Sequence, residues 1–133
     1  MSGERDLQKL LSGMSPILDP ERYVFALTTE PEKHAELKAI MRFQEEEGET
    51  LILTEAASRA ASLEFSGIYA RITLSVHSAL DAVGFLAAAC SALAAEEIST
   101  NAVAAYHHDH IFVPFDRAND AMAALQKLSA SAN

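Results

Sequence analysis

The residues best suited to chemistry are concentrated in one run of four, His107-His108-Asp109-His110. Three imidazoles and a carboxylate are typical zinc ligands. Consecutive side chains on a strand point to opposite faces, so at most His108 and His110 meet one ion, and a third ligand must come from His77, His34 or a partner chain. The run also fits a hairpin bend whose aspartate favours the turn. We expect no metal site and no cofactor, and we assign His108 and His110 to a ligand cleft or a subunit interface.

Two further features have chemically active residue types but a simpler explanation. The run Glu45-Glu46-Glu47-Gly48-Glu49 lacks the spacing of a calcium-binding EF-hand loop, and we predict a solvated hairpin tip. The single cysteine, Cys90, lies in an apolar helical stripe, which predicts an inert buried thiol and excludes a disulfide framework. The chain has no P-loop, nucleophile elbow or dinucleotide-binding fingerprint. We therefore predict that it is not an enzyme, with a small hydrolase or isomerase built on the histidines as the catalytic alternative.

Charge and hydropathy limit the partners. The 133 residues carry 19 acidic and 10 basic side chains, a net charge of −9, which repels nucleic-acid backbones and anionic membrane surfaces. Residues Met1–Gln8 are polar and lack the apolar segment of a signal peptide. The run Ala79–Ala95 is too short and too mildly apolar to span a bilayer. We expect a cytoplasmic protein with neither nucleic acid nor membrane as partner.

Hydrophobic periodicity predicts the elements of the first half. The apolar residues Leu7, Leu10, Leu11 and Met14 share one helical face. That helix ends near Gly13, before a turn over residues 18–20. The later pattern predicts a strand over Tyr23–Leu27, a short helix or loop over Glu30–Leu37, a hairpin of strands Ile40–Gln44 and Thr50–Leu53 around Gly48, and a helix over Ala56–Ala61 capped by Thr54.

The second half repeats this order of elements, with a clearer separation of apolar and polar positions. Strict alternation predicts a half-buried strand over Tyr69–His77, and a clean apolar stripe predicts a helix over Asp81–Ala95. Strands over Ile98–Tyr106 and Ile111–Pro114 flank the histidine run. Asp116 is placed to cap a last helix whose apolar stripe comprises Ala118, Ala121, Met122, Leu125 and Leu128, followed by a frayed tail from Ser129 to Asn133.

The order of elements predicts an α+β fold of two tandem ferredoxin-like βαββαβ units, each with an antiparallel sheet and helices on one face. We place the boundary at Ser66-Gly67, which gives an N-terminal unit with a leading helix over residues 1–66 and a C-terminal unit over residues 67–133. Each repeat lacks its own final strand. Either the strand Tyr69–His77 closes the first unit while it opens the second, or the two halves exchange strands.

The segment Arg71–Val113 resembles an ACT domain, with closest similarity to the ACT repeats of aspartokinases. The resemblance is carried by Val76-His77-Ser78-Ala79-Leu80-Asp81-Ala82-Val83-Gly84 and Leu93-Ala94-Ala95-Glu96-Glu97-Ile98-Ser99-Thr100-Asn101. The whole chain is similar to a family of small uncharacterised bacterial proteins built from two tandem ACT-like modules. The shared phrases are Leu10-Leu11-Ser12-Gly13-Met14-Ser15-Pro16, Tyr23-Val24-Phe25, Phe43-Gln44-Glu45-Glu46-Glu47-Gly48-Glu49-Thr50 and His108-Asp109-His110-Ile111-Phe112-Val113-Pro114.

This resemblance implies a regulatory or sensor module that binds a small ligand, such as an amino acid. Because small antiparallel sheets leave edges that require covering, we also expect a homodimer. In ACT domains the effector lies in the loop before the first helix and against the start of the following strand. By position, the resemblance nominates Ser78, Ala79, Leu80, Asp81, Ala82, Val83 and Gly84, with Ile98, Ser99, Thr100 and Asn101 opposite. Asp81 would meet the ammonium of the ligand, or Ser78 and Asp81 would simply cap the helix. The alternative function is a self-association or protein-interaction module without a small ligand.

Overall fold

The computed structural model describes residues 3–132, which divide into two compact units. Unit one contains the chain up to Pro20 and again from Ala70 onward, and unit two is Glu21–Tyr69. The elements are α1 (Leu7–Gly13), β1 (Ser15–Leu18), β2 (Tyr23–Thr28), β3 (Met41–Gln44), β4 (Glu49–Thr54), α2 (Glu55–Ala60), β5 (Tyr69–Ser75), α3 (Phe85–Ala95), β6 (Asn101–Ala104), β7 (Asp109–Pro114), a 3-10 turn (Phe115–Arg117) and α4 (Ala118–Ser131).

Unit one is a four-stranded sheet, in the order β1-β5-β7-β6, with α1, α3 and α4 packed on one face. Alternation along β5 turns Ile72 and Leu74 toward the helices, where they join Phe85, Leu93 and Leu125 in one buried core. Because β7 also alternates, Ile111 and Val113 extend this core.

Strand β1 was not anticipated, because the sequence predicts only the end of the first helix near Ser15-Pro16 and a turn over residues 18–20. Residues Ser15–Leu18 pair antiparallel with β5, from Ser15 opposite Ser75 to Leu18 opposite Ile72. Four residues are too few for a periodic signal of their own, and the strand is specified by the partner it pairs with. β1 supplies the outer strand that the second repeat lacks, and α1 consequently packs on α3 and α4 of unit one rather than within the first half of the chain.

Unit two consists of the sheet β3-β4-β2 with α2 on one face. Tyr69, the last residue of unit two, pairs with Tyr23 of β2. Gly48 has a positive φ of +151°, and a Cβ there would lie 2.5 Å from the Thr28 carbonyl oxygen, which confirms the predicted need for glycine in this hairpin. Thr54 caps α2 by accepting from the amide of Ala57 at 3.2 Å, as predicted.

Several predicted element ends differ from the structure. α3 begins at Phe85 instead of Asp81, and β6 covers Asn101–Ala104 only. Asp116 lies inside the 3-10 turn and does not cap α4. The predicted frayed tail is largely helical, because α4 continues to Ser131. Ser129 donates to the Met14 carbonyl at 2.9 Å, which holds this segment on the rest of unit one. Asn133 lies outside the described residues. Within residues 3–132, none of the helices combines the length and apolarity needed to cross a membrane.

Candidate functional site

The loop that joins β5 to α3 contains the seven residues nominated from Ser78 to Gly84. Backbone bonds shape it into turns, with the Ala82 amide donating to the Ala79 carbonyl at 3.0 Å. Gly84 ends the loop in the left-handed region, with φ of +90°, and serves as the N-cap of α3 without any side-chain hydrogen bond. Ser78 and Asp81 therefore do not cap the helix. The amides of the first turn of α3 have no side-chain acceptor from the N-cap residue, and such amides attract negative charge.

Residues Gly3–Leu7, which we call the N-terminal strap, lie against this loop. Glu4 forms a parallel bridge with Ser78, in which the Glu4 amide donates to the His77 carbonyl and the Ala79 amide donates to the Glu4 carbonyl, both at 2.9 Å. A Cβ on Gly3 would lie 2.7 Å from the Ala79 nitrogen, and Gly3 has a φ of +108°, so only glycine fits this approach.

The strap also supplies the cation that faces Asp81. The Arg5 guanidinium donates from Nε to Asp81 Oδ1 at 2.9 Å, in a pair whose side chains are each about half exposed. The side chain of Leu7 lies over Gly84, with its Cδ2 3.5 Å from the position that a Cβ would take there. Asp81 thus already binds a positive group, which belongs to the chain itself.

A buried carboxyl lies beneath the loop. Asp109 begins β7 with only 8% of its surface exposed, and its side chain shares a hydrogen bond with Ser78. Burial raises the pKa of Asp109 above its usual value, while the Ser78 hydrogen bond and the charge of His108 oppose the shift. Burial also raises the pKa of the Cys90 thiol, and the nearby Asp109 charge adds to this shift. Cys90 is therefore a poorly ionised thiol, and it is half-buried where the sequence predicts a buried one.

The histidine run occupies the turn before β7 and the start of that strand. The amide of Ala105 donates to the His108 carbonyl at 3.1 Å, so the turn ends before Asp109, and the prediction that Asp109 forms the bend is wrong. His110 Nδ1 lies 2.9 Å from the Thr73 hydroxyl, and burial, Arg71 and His108 lower the pKa of His110.

The remaining histidine contacts are between rings. The centroids of His108 and His110 are 6.5 Å apart, and those of His77 and His107 are 5.2 Å apart, edge to face. Among residues 3–132, no three histidine, cysteine, aspartate or glutamate side chains are grouped as a metal site requires. The His110 ring instead contacts Thr73 and His108, and the residue between the two histidines, Asp109, is the one that contacts the loop, through Ser78.

The second nominated set, Ile98–Asn101, does not meet the loop within unit one. The loop precedes the first residue of α3, whereas Ile98–Asn101 follow its last turn, and eleven helical residues span about 16 Å. Asn101 pairs with Phe112 near the end of β7, while Ser78 contacts Asp109 at the start of β7. Ile98 is buried in the core, and Ser99 and Asn101 are exposed.

The sequence analysis did not predict the contact of the N-terminal strap with the loop, nor the burial of Asp109 beneath the loop. Arg5 and Asp81 are 76 positions apart, and no local pattern links them. The one available signal was Gly3, whose type permits a close backbone approach. Asp109 was predicted as a turn residue because aspartate favours turns, and only the strand register shows that its side chain points into the core.

Comparisons with known proteins cover nearly the whole chain. Residues 2–70 match one family model described as ACT domain, and residues 68–127 match a second model with the same description. A sequence search of curated proteins finds no match. Among solved structures, a Vibrio cholerae protein of unknown function, given as a possible transport protein, is 41% identical. The alignment covers 96% of this chain and 99% of that chain with a TM-score of 0.84.

More distant structures share the fold. An Agrobacterium tumefaciens protein is 12% identical, with 87% of this chain and 89% of that chain covered and a TM-score of 0.70. The ligand-free regulatory subunit of aspartate kinase from Thermus thermophilus is 10% identical, and the alignment covers 85% of this chain and 95% of that chain with a TM-score of 0.59. At these identities the similarity concerns the fold alone.

Proposed function

This chain belongs to the ACT domain family, and on that premise we propose that it is a regulatory module that binds a small ligand, an amino acid, at the loop Ser78–Gly84. ACT domains are regulatory, non-catalytic modules, as in the aspartokinase subunits that share this fold. One observation carries the proposal: Asp81, half exposed at the edge of the loop, already holds a guanidinium at 2.9 Å. A ligand ammonium presents the same charge to the same carboxylate.

The loop offers complementary groups to both ends of an amino acid. The first-turn amides of α3 lack a side-chain cap, and their partial positive charge suits a carboxylate. Asp81 then receives the ammonium. Since Arg5 and Leu7 lie over these groups, the ligand and the N-terminal strap compete for them.

Because of this competition, ligand binding would release the N-terminal strap, and that conformational change is the signal. A ligand shifts an equilibrium only when it binds two states with different affinity. Here the ligand binds the state in which the Arg5–Asp81 pair is open and the strap is released. The cost of opening that pair is low, because exposed ion pairs contribute about 0–1 kcal/mol.

Dimerisation through β6 would complete the nominated site. β6 is an edge strand, and the stretch Asn101–Tyr106 has no charged side chain that would deter pairing. In an antiparallel pair of two β6 strands, the start of one strand lies beside the end of the other. Ile98–Asn101 of a second copy would then approach the end of the sheet at which the loop lies. We therefore propose a homodimer in which each site draws on both copies.

A calorimetric titration of the twenty amino acids tests the binding site. We expect at least one to bind at sub-millimolar concentration and the Asp81→Ala variant to lose at least tenfold in affinity, because the ammonium loses its partner. Asp116→Ala, an exposed carboxylate away from the loop, is the matched control and should bind as the unaltered chain does. Equal affinity in the Asp81→Ala and Asp116→Ala variants would remove Asp81 from the site.

A second candidate function is a protein-interaction module without a small ligand. It is favoured by the apolar side chains exposed at the same end of unit one, where Leu80, Val83 and Tyr106 are 53%, 84% and 66% exposed. This candidate predicts no heat of binding with any amino acid at millimolar concentration. That result would overturn the ligand proposal and leave the apolar surface as the functional feature.

A further inference from the structure

Within unit two, a helix covers the sheet on one face. Alternation along β2 turns Val24 and Ala26 toward α2, where they join Leu51 and Leu53 in the buried core. The residues between them along each strand point to the opposite face, which we call the open face of unit two. The open face is separate from the loop Ser78–Gly84 and from the edge strand β6, both of which belong to unit one.

Strand register places two rows of side chains across the open face. From β2 through β4 to β3, the members are Leu27, Thr50 and Phe43 in one row and Phe25, Ile52 and Met41 in the other. Phe43 is 63% exposed and Leu27 is 41% exposed, and Phe25 and Met41 are half-buried beside them. These side chains form one apolar patch on neighbouring strands, and a contiguous patch of this kind marks an interaction site.

A carboxylate borders the patch on the β2 side, where a shallow cleft of about 380 Å³ opens. The segment Glu64–Ser66 runs antiparallel to β2 through a bridge between Phe65 and Ala26. Phe65 packs on the buried core, so its neighbour Glu64 points to the open face. Glu64 is exposed and lines the cleft together with Leu27.

More negative charge borders the patch at the hairpin between β3 and β4. The Thr50 hydroxyl donates to the Glu45 carboxylate, which places that carboxylate beside the middle of the first row. The hairpin tip also lies close to Leu27, whose Cδ1 would be 3.1 Å from a Cβ on Gly48. The run Glu45–Glu47 is exposed, so it adds its charge to the rim of the open face.

The arginines of unit two are engaged away from this rim. Arg42 points to the face that α2 covers, and there it pairs with Glu49 at 2.8 Å. Arg22 and Arg59 both pair with Glu55 at the start of α2, each at 2.8 Å. The carboxylates beside the patch therefore keep their negative charge, in keeping with a net charge of −9 for the chain.

This charge decides which kind of surface fits the open face. In a two-fold pair of copies the same surface meets itself, so a second copy would bring an identical acidic rim against this one. Like charges across an interface repel each other, and the acidic rim repels an anionic membrane surface for the same reason. A partner that combines apolar side chains with lysine or arginine satisfies both the patch and its rim.

The width of the patch suits a single helix. From β2 to β3 there are two strand spacings, about 10 Å, which is close to the diameter of one α-helix. We propose that the open face of unit two docks a basic amphipathic helix of a different protein. The apolar side of that helix lies on Leu27 and Phe43, and its cationic side chains meet Glu45 and Glu64.

An NMR titration of the ¹⁵N-labelled full chain tests the docking. The probe is a synthetic amphipathic helix of about 14 leucine and lysine residues with helical spacing. We expect amide shifts in β2, β3, β4 and Glu64–Ser66 at sub-millimolar peptide. The same peptide with glutamate in place of lysine should bind at least tenfold more weakly, because its charge matches that of the rim.

The variant Phe43→Thr tests the apolar patch. It removes the most exposed apolar side chain of the open face and keeps a β-branched residue in the strand, so the fold should persist. Binding of the lysine peptide should weaken at least tenfold. Ile17→Thr is the matched control, since Ile17 is 55% exposed on β1 of unit one, and it should bind the peptide as the unaltered chain does.

The double variant Glu45→Gln with Glu64→Gln tests the rim. It should weaken binding of the lysine peptide at least threefold at low salt, and the difference should disappear in about 1 M salt, where charges are screened beyond about 3 Å. The matched control is Glu96→Gln with Glu97→Gln, which removes two exposed charges from unit one. This control should bind the peptide as tightly as the unaltered chain.

Three results would overturn the inference. One is the absence of shifts in the sheet of unit two at about 1 mM peptide, where even weak docking is visible. Another is equal binding of the lysine and glutamate peptides, which would mean that the rim selects nothing. The third is a dimer of the unaltered chain that Phe43→Thr converts to a monomer, because a second copy would then occupy the open face. Titration with amino acids tests the loop of unit one alone, so the two proposals fail independently.

Discussion

Asp109 is the residue whose chemistry is most altered by its surroundings. Its carboxyl lies beneath the loop Ser78–Gly84, and burial is the main reason that its pKa is raised. In the folded protein the carboxyl therefore holds its proton more tightly than in the unfolded chain. The stability that follows from this is present below the usual aspartate pKa of about 3.9 and is lost as the pH rises through the folded value.

The variant Asp109→Asn should remove this loss. Its amide keeps a hydrogen-bonding group near Ser78 and never ionises, so the free energy of unfolding should decrease less between pH 4 and pH 7 than in the unaltered chain. At pH 7 the variant should be at least as stable. Urea denaturation at several pH values measures both quantities.

The control for this measurement is Asp116→Asn, which changes an exposed carboxylate. It should leave the pH dependence as it is in the unaltered chain. If Asp109→Asn and Asp116→Asn gave the same pH dependence, the ionisation of Asp109 would not be coupled to folding.

At the scale of elements, α3 joins the loop Ser78–Gly84 to the core of unit one. Its N-terminus follows the loop at Gly84, and its buried residues Phe85, Ala89 and Leu93 pack on the sheet. The helix has no side-chain cap at its start. Its position therefore depends mainly on packing rather than on local helix signals.

The variant Leu93→Ala should cost about 2–5 kcal/mol in the free energy of unfolding, because it leaves a cavity in the core. Ser91→Ala, on the exposed face of α3, is the matched control and should change stability by less than about 0.5 kcal/mol. Chemical denaturation measures both. A loss in Leu93→Ala as small as that in the control would show that α3 does not anchor this core.

At the scale of the whole molecule, we propose that two copies associate through the edge strand β6. Its sequence, Asn101-Ala102-Val103-Ala104, has none of the charged residues that usually protect an exposed edge. The other edge of the unit-one sheet, β1, contains Pro16, which has no amide to donate to a further strand, and β3, at the edge of the unit-two sheet, contains Arg42 and precedes the acidic run Glu45–Glu49. Pairing through β6 is therefore favoured over pairing through β3.

Light scattering coupled to size-exclusion chromatography tests this association. The unaltered chain should elute as a dimer, and Ala102→Lys should elute as a monomer, because two lysines would face each other across the paired edges. Ala123→Lys adds the same charge on the exposed side of α4 and should remain dimeric. A dimer in the Ala102→Lys variant would place the interface elsewhere.

Much of the fold follows from the sequence, because periodicity reports burial directly. The alternation around Ile72 and Leu74 predicts β5. The apolar stripe predicted for α3 identifies the helix but not its buried face, which is formed by Phe85, Ala89 and Leu93; of the predicted stripe Val83, Leu86, Ala87, Cys90, Leu93 and Ala94, only Leu93 is fully buried. Local chemistry likewise predicts the cap at Thr54 and the positive φ at Gly48. The family resemblance adds the ACT fold, and the two family models confirm it.

The sequence by itself thus determined the fold class and most of the element order, and the family resemblance nominated the loop Ser78–Gly84 as the ligand site. Tertiary structure alone decided that β1 pairs with β5, that Arg5 faces Asp81 and that Asp109 is buried. These contacts join residues whose neighbours in sequence give no sign of them. Local patterns encode which face of an element is buried, whereas pairing across long stretches of chain is selected only when the core is assembled.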